Sequence, residues 1–285
     1  MKEFFTLSTS HLARWQPTTH IFKSIQQNIR FFSQNKESTR LKTTFNCPVE
    51  YRKQFPASTA QITISVGQPV HEGERIEGVV QLVNRSFKDC IIMLDDSIQS
   101  YTNAIAAPHK SKEMLLAEAI KAGDEYLERN GPIFKANLTI PYRIKRWKDW
   151  LGTPEWRAAV REMREAYAVN SEFHQGINAC VNTFLQRYEK NKLQHTYDRA
   201  HAEKLCITYL VEECGVMKDL WTTLGSHFEV YPSGRNEAMD ATYKLFIEPK
   251  SPHLLRPVAI RFNRRKIEEA DPDMKCKHDA KITTI

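Results

Sequence analysis

Apolar positions along this chain change period several times, and the changes mark out alternating strands and helices. Residues 61–67, Gln-Ile-Thr-Ile-Ser-Val-Gly, are short, β-branched and end at glycine, which predicts a strand. Ile76, Val79, Val80 and Val83 then recur at helical spacing. The run Asp89-Cys90-Ile91-Ile92-Met93-Leu94-Asp95-Asp96 is apolar between acids, the pattern of a buried strand. Strand, helix and strand within about 35 residues make a βαβ unit, which implies a parallel sheet and a right-handed crossover.

The rest of the chain continues the alternation. A helix is predicted over 112–129, stopped near Asn130-Gly131-Pro132, and a strand over 136–144. Thr153-Pro154-Glu155 combines an N-cap, a first-position proline and a first-turn acid, so a helix starts there. Its pattern runs to about Tyr188, with a break at Asn170-Ser171, and Asp198 begins another helix that ends near Gly215. Residues 226–232, 242–248 and 256–262 read as strands. There is no internal repeat. The reading is one α/β domain over 56–263: a Rossmann-like, doubly wound, mostly parallel sheet flanked by helices, with a helical layer between its halves. A basic extension, 1–55, precedes it, and a charged tail without periodicity, 264–285, follows.

Composition narrows the function classes. Hydrophobic residues at 41% and charged residues at 26% suit a folded core, and no run of 18 apolar residues exists to span a membrane. The net charge of +7 favours an anionic partner, nucleic acid first and a membrane surface second, although an ordinary basic enzyme has the same balance. Six cysteines form no C-x-x-C pair, which predicts reduced thiols and a cytoplasmic protein. The histidines show no metal-ligand spacing, so neither a metal nor another cofactor is expected. Residues 1–45 are rich in Ser, Thr, Lys and Arg and poor in acids, as in a mitochondrial transit peptide or a basic bacterial extension.

Open parallel sheets bind ligands at the carboxyl ends of their strands. Ser65-Val66-Gly67 ends a predicted strand, where a serine can present its hydroxyl to a crevice and glycine permits close backbone approach. Most such strand ends are plain turns. Tyr209 and Glu213 lie four apart on one predicted helix and share a face. Among Leu205, Cys206, Leu210 and Val211, that carboxylate needs a partner if it is buried, and is a solvated surface group if it is not. Tyr231-Pro232 closes another strand, where a tyrosine is most simply a packed aromatic.

Taken in order, these segments resemble the tRNA-dependent cyclodipeptide synthases over roughly residues 60–250. The resemblance rests on Ser65-Val66-Gly67-Gln68, on Thr153-Pro154-Glu155-Trp156-Arg157-Ala158 followed by Glu172-Phe173, on Tyr209 with Glu213, and on Tyr231. Gln68 and Tyr231-Pro232 match the branch with Tyr-Pro rather than Tyr-His, and Trp156 stands where a tyrosine is frequent, which leaves it a role in shape.

The resemblance implies a fold similar to the catalytic domain of class I aminoacyl-tRNA synthetases. The His-x-Gly-His and Lys-Met-Ser-Lys-Ser signatures of those enzymes are absent, so no ATP is expected. It implies a monomer that takes two aminoacyl-tRNAs and makes a cyclic dipeptide. Ser65 would carry the first aminoacyl group, Tyr209 and Glu213 would hold its amine, and Tyr231 would relay a proton. Substrate-pocket positions by the same resemblance are Thr63, Gly67, Gln68, Ile92, Leu94, Trp147, Trp156, Cys180 and Pro232, with Trp147 narrowing the pocket toward small side chains. The helix that docks tRNA in the better-known branch is strongly basic, whereas 110–129 here mixes Lys110, Lys112, Lys121 and Arg129 with Glu113, Glu118, Asp124, Glu125 and Glu128. Docking is therefore expected at Arg143, Lys145, Arg146 and Lys148. A second basic cluster, Arg261, Arg264, Arg265 and Lys266, precedes the tail. Two other readings stay open: a serine acyltransferase or hydrolase that uses no tRNA, and a non-catalytic tRNA-binding relative of synthetases.

Overall fold

Six strands form one sheet in the computed structural model, which describes residues 39–191 and 198–266. They are β1 (Thr39–Asn46), β2 (Thr59–Ser65), β3 (Asp89–Asp95), β4 (Tyr142–Arg146), β5 (Phe228–Tyr231) and β6 (Arg256–Lys266). The spatial order is β1-β6-β5-β2-β3-β4. The neighbours β2/β3, β2/β5, β3/β4 and β5/β6 are all parallel. From β2 the chain steps outward through β3 and β4, then returns to the other side of β2 and steps outward through β5 and β6. Strand order reverses between β2 and β5, and that reversal opens a crevice at their carboxyl ends.

The helices are α1 (Val49–Gln54), α2 (Gly73–Asn84), α3 (Ser100–Ala106), α4 (Lys112–Asn137), α5 (Pro154–Val169), α6 (Ser171–Asn191), α7 (Arg199–Gly215) and α8 (Glu237–Thr242). Their starts follow from local chemistry. Thr153 accepts the Trp156 N–H at 3.2 Å, Asn170 the Phe173 N–H at 2.9 Å, and Asp198 the His201 N–H at 3.0 Å. Among the described residues no helix is long and apolar enough to cross a membrane.

Several elements differ from the sequence reading. Residues 243–247 are a π-helical turn continuing α8, not a strand, because Met239, Tyr243 and Ile247 recur every fourth position and bury one face. Helix α4 continues through Pro132 to Asn137, and β4 starts only at Tyr142. Tyr126, Asn130 and Phe134, buried on one face, anchor the helix on both sides of the proline. The sheet also takes in β1 and α1 from within 1–55; Phe45 and Tyr51 pack against the Phe55 and Phe228 rings. The remainder of the basic extension (1–38), Cys276 and the tail beyond Lys266 lie outside the described residues.

Alternation along the strands gives the sheet two unlike faces. Ile62, Ile64, Ile92, Leu94, Phe228 and Val230 point into an apolar core against Ile76, Val79, Val80 and Val83 of α2 and Tyr126 and Phe134 of α4. The alternate positions are largely polar and still buried: Gln61, Thr63, Ser65, Asp95 and Glu229. Helix α7 carries Tyr209 and Glu213 to that polar face, and this is where chemistry is concentrated.

Candidate active site

Ser65 is the last residue of β2, and the chain leaves it through Gly67, whose φ of +88° is a conformation that only glycine adopts without strain. The turn closes with Gln68 N–H to Ser65 O at 3.3 Å and His71 N–H to Gln68 O at 2.9 Å. Tyr231 is the last residue of β5. Its hydroxyl lies 3.1 Å from the Ser65 hydroxyl, so the two side chains meet across the strand-order reversal. On α7 the Tyr209 hydroxyl donates to Glu213 Oε1 at 3.3 Å, and Gln99 Nε2 donates to the Tyr209 hydroxyl at 3.4 Å. All four groups line one cavity of about 470 Å³. Its lining also includes the polar Gln68, Arg235 and Asn236, Cys180, and the apolar Ile105, Val181, Phe184, Leu205 and Leu210.

Three buried carboxylates crowd this face of the sheet, and Glu213 is the one that lines the cavity. Glu229 is fully buried and pairs with Arg235, Nε to Oε2 at 2.6 Å, while Thr63 donates to its other oxygen at 3.2 Å. Glu213 is 3% exposed and its Oε2 has no partner; both oxygens of Asp95 lack one too. Burial first, and the negative charge of Glu229 second, push the Glu213 carboxyl up to about 7. Asp95 is pushed well above the carboxylate range by burial and by Glu213, Glu229 and Asp96. Burial likewise holds the phenols of Tyr209 and Tyr231 well above their usual value, so both stay protonated donors. An incoming ammonium would relieve this crowding and satisfy the free Glu213 oxygen.

The structure brings six of the sequence-derived positions to the cavity: Ser65, Gln68, Cys180, Tyr209, Glu213 and Tyr231. Gly67 shapes the turn, Pro232 is buried outside the cavity lining, and Thr63 is buried on the polar face, where it donates to Glu229. Ile92 and Leu94 do not reach the cavity. They point into the apolar core, and it is Met93 and Asp95 that share the face of Ser65. Trp147 and Trp156 are not cavity walls either. Their indole N–H groups donate to Glu212 Oε1 at 2.9 and 3.3 Å, and the Tyr101 hydroxyl donates to Oε2 at 2.8 Å. Glu212 thereby ties α7 to three other segments, and as the residue next to Glu213 it projects from a different side of the helix.

Arg146, expected on a docking face, is turned inward. Its side chain is 11% exposed, donates Nε to the fully buried Asp96 at 2.6 Å, and also bonds Asp124 and the Ile120 carbonyl. Gly123 makes room for this pair, since a Cβ there would meet Asp96 at 2.6 Å and Arg146 at 2.7 Å. Lys148 reaches Asp124 at 3.6 Å, and Arg143 is exposed with one donor on the Leu224 carbonyl at 2.9 Å. Lys145 is half-buried beside them.

Sequence reasoning missed His71, Gln99, Asp95, Glu229 and Arg235. Glu229 carried a signal, because a charged residue between Phe228 and Val230 in a short strand has to be paired if it is buried. Its arginine, six positions on, follows from that need.

No protein-family model and no curated protein matches the chain. Solved structures do. The chain is 44% identical to a CDPS from Fluoribacter dumoffii, covering 80% of this chain and 100% of that one, with a TM-score of 0.76. A cyclodipeptide synthase from Candidatus Glomeribacter gigasporarum, solved bound to Phe-tRNAPhe, is similar in fold at 15% identity, covering 79% and 93%, with a TM-score of 0.61. One from Bacillus thermoamylovorans is similar in fold at 11% identity, covering 79% and 96%, with a TM-score of 0.56.

Proposed function

The chain belongs to the cyclodipeptide synthase family of aminoacyltransferases, and from that premise we propose that it builds a cyclic dipeptide from two aminoacyl-tRNAs through an ester on Ser65. The observation that carries the reading is the meeting of Ser65 and Tyr231 at 3.1 Å over a cavity that Tyr209 and Glu213 also line.

An aminoacyl-tRNA is an activated ester, so a serine can accept its acyl group without a full catalytic triad. Ser65 Oγ attacks the first ester carbonyl; its proton leaves to the departing ribose hydroxyl, and an aminoacyl-Ser65 ester remains. Glu213 and the Tyr209 hydroxyl hold the α-amino group of that residue. Once deprotonated, the amine attacks the ester of the second aminoacyl-tRNA, an amide forms, and a second ribose hydroxyl leaves. The new terminal amine then attacks the Ser65 ester, closes the six-membered ring, and releases the serine. Tyr231 stays a neutral phenol, suited to pass a proton between the amine and Ser65 Oγ rather than to act as a phenolate.

The scheme consumes no ATP, because activation has already occurred on the tRNA. One chain carries all four groups, so a monomer suffices. A charged-tRNA substrate fits the cytoplasmic setting expected from the thiols. The test is incubation of the purified protein with a mixture of aminoacyl-tRNAs, followed by mass spectrometry for diketopiperazines and for an acyl group on the Ser65 peptide. Both are expected. Turnover of free amino acids or simple esters alone, with no product from aminoacyl-tRNA, would overturn the reading.

A further inference from the structure

Ser65 and Tyr231 end different strands, and backbone pairing does not set the distance between them. The β2/β5 ladder runs from Ala60↔Phe228 to Ile62↔Val230 and stops short of both hydroxyls. His71 bridges the gap. Its Nδ1 lies 2.7 Å from the Ser65 nitrogen and 3.2 Å from the Ser65 carbonyl oxygen, and accepting the shorter bond from the N–H puts the ring proton on Nε2. Nε2 faces the Ser233 hydroxyl at 3.5 Å, two residues beyond Tyr231. The ring stands edge-on to Tyr231, with centroids 5.4 Å apart and planes at 61°. Tyr126 of α4 donates to the His71 carbonyl at 2.8 Å, so the turn that carries the ring is itself fixed. His71 is fully buried and lies outside the cavity lining. Its ring nitrogens meet the Ser65 backbone and the Ser233 hydroxyl rather than Ser65 Oγ, so it is not placed as a base for Ser65.

We propose that His71 is a positioning residue that ties the end of β2 to the segment after β5 and so fixes where the Ser65 hydroxyl stands over the cavity, for its acylation as well as for its meeting with Tyr231. The proposal rests on Ser65 as the acyl acceptor. Misplacing a reacting group by about 1 Å costs on the order of 10²-fold in rate.

The experiment measures single-turnover acylation of Ser65 by acid quench and mass spectrometry, across aminoacyl-tRNA concentrations, for His71→Leu, His71→Asn and His71→Gln. Asparagine places an acceptor near the Nδ1 position; glutamine places its amide nearer Nε2. The expected result is an acylation rate about 10²-fold lower in His71→Leu with half-saturating aminoacyl-tRNA within about twofold of wild type. His71→Asn should recover at least tenfold more of the rate than His71→Gln. Where the leucine variant does not fold, the Asn/Gln pair, checked by melting temperature, carries the test. A folded His71→Leu protein with wild-type acylation, or equal rates in the Asn and Gln variants, would overturn the proposal. Absence of any Ser65 adduct in the wild-type protein would instead sink the acyl-serine reading on which it stands.

Discussion

Glu213 offers one carboxylate oxygen to the Tyr209 hydroxyl at 3.3 Å and keeps the other, itself buried, without a partner at the cavity wall. Such a group is costly alone and well suited to a cationic ligand. With its carboxyl at about 7, Glu213 is protonated below that pH and charged above it. Ammonium capture needs the charged form, so kcat/KM should climb as pH rises through about 7. Glu213→Gln should lower kcat/KM by about 10²-fold and erase that limb. A Gln variant that keeps the ascending limb would assign it to another group.

The two hydroxyls at 3.1 Å should separate cleanly by mutation. Ser65→Ala is expected to abolish both adduct and product. Tyr231→Phe keeps the ring and removes only the relay, so acylated Ser65 should accumulate while cyclic product falls. Acid-quenched mass spectrometry with product quantification reads both. Product without adduct in Ser65→Ala would end the covalent scheme.

These groups were legible in unequal measure. The shared face of Tyr209 and Glu213 follows from helical spacing and the strand-end place of Ser65 from the glycine after it, because both patterns are local; only the resemblance singled them out as a site. The faces of β3 were not legible: Cys90 to Leu94 is apolar throughout, and a strand buried on both sides gives no parity signal. Hence Ile92 and Leu94 were placed where Met93 and Asp95 stand. The resemblance put Trp147 and Trp156 in the substrate pocket, but both indoles are turned to Glu212, 65 and 56 residues away, a pairing that no local pattern shows. The role of His71 depends on two strand ends meeting, which no spacing encodes.

Asp95 is a stability liability with a definite sign. Its folded pKa is raised well above the unfolded value of about 3.9 by burial and neighbouring acids. Stability from the neutral carboxyl is therefore full below that unfolded value and is lost as pH climbs toward the folded one. Asp95→Asn is neutral at every pH. It should raise the melting temperature at pH 7–8, by roughly 1–3 kcal/mol in stability, and the gain should shrink toward pH 4. Calorimetry across that range decides; a gain that grows toward acid pH would contradict it.

Glu212 gathers the Trp147, Trp156 and Tyr101 donors, so the loss should depend on what replaces it. Glu212→Leu strands all three and should cost about 2–5 kcal/mol, read by denaturant unfolding. Glu212→Gln keeps an acceptor for the indoles and should cost less than half as much. Equal losses would mean the site responds to charge and not to hydrogen bonding.

Docking of tRNA is the last quantity the geometry reshapes. Arg146 is engaged with buried Asp96, so removing it tests the fold rather than the docking. Arg146→Gln strands a carboxylate that is 0% exposed, and a loss of roughly 3–5 kcal/mol is expected. Arg143 and Lys145 are different. They alternate with Ile144 on β4, hence share one face of the edge strand, and Arg143 is exposed. Each phosphate contact contributes about 0.7 to 0.9 to the salt slope. The double variant Arg143→Gln with Lys145→Gln should therefore weaken aminoacyl-tRNA binding and flatten its log–log salt dependence by about 1.4 to 1.8. The melting temperature should hold. The cyclic dipeptide made should not change, since phosphate contacts position a nucleic acid without selecting what it carries. Binding titrations at several salt concentrations supply the slope. An unchanged slope would move the docking face away from β4, with Arg261 and Arg264 at the opposite side of the sheet the next residues to neutralise.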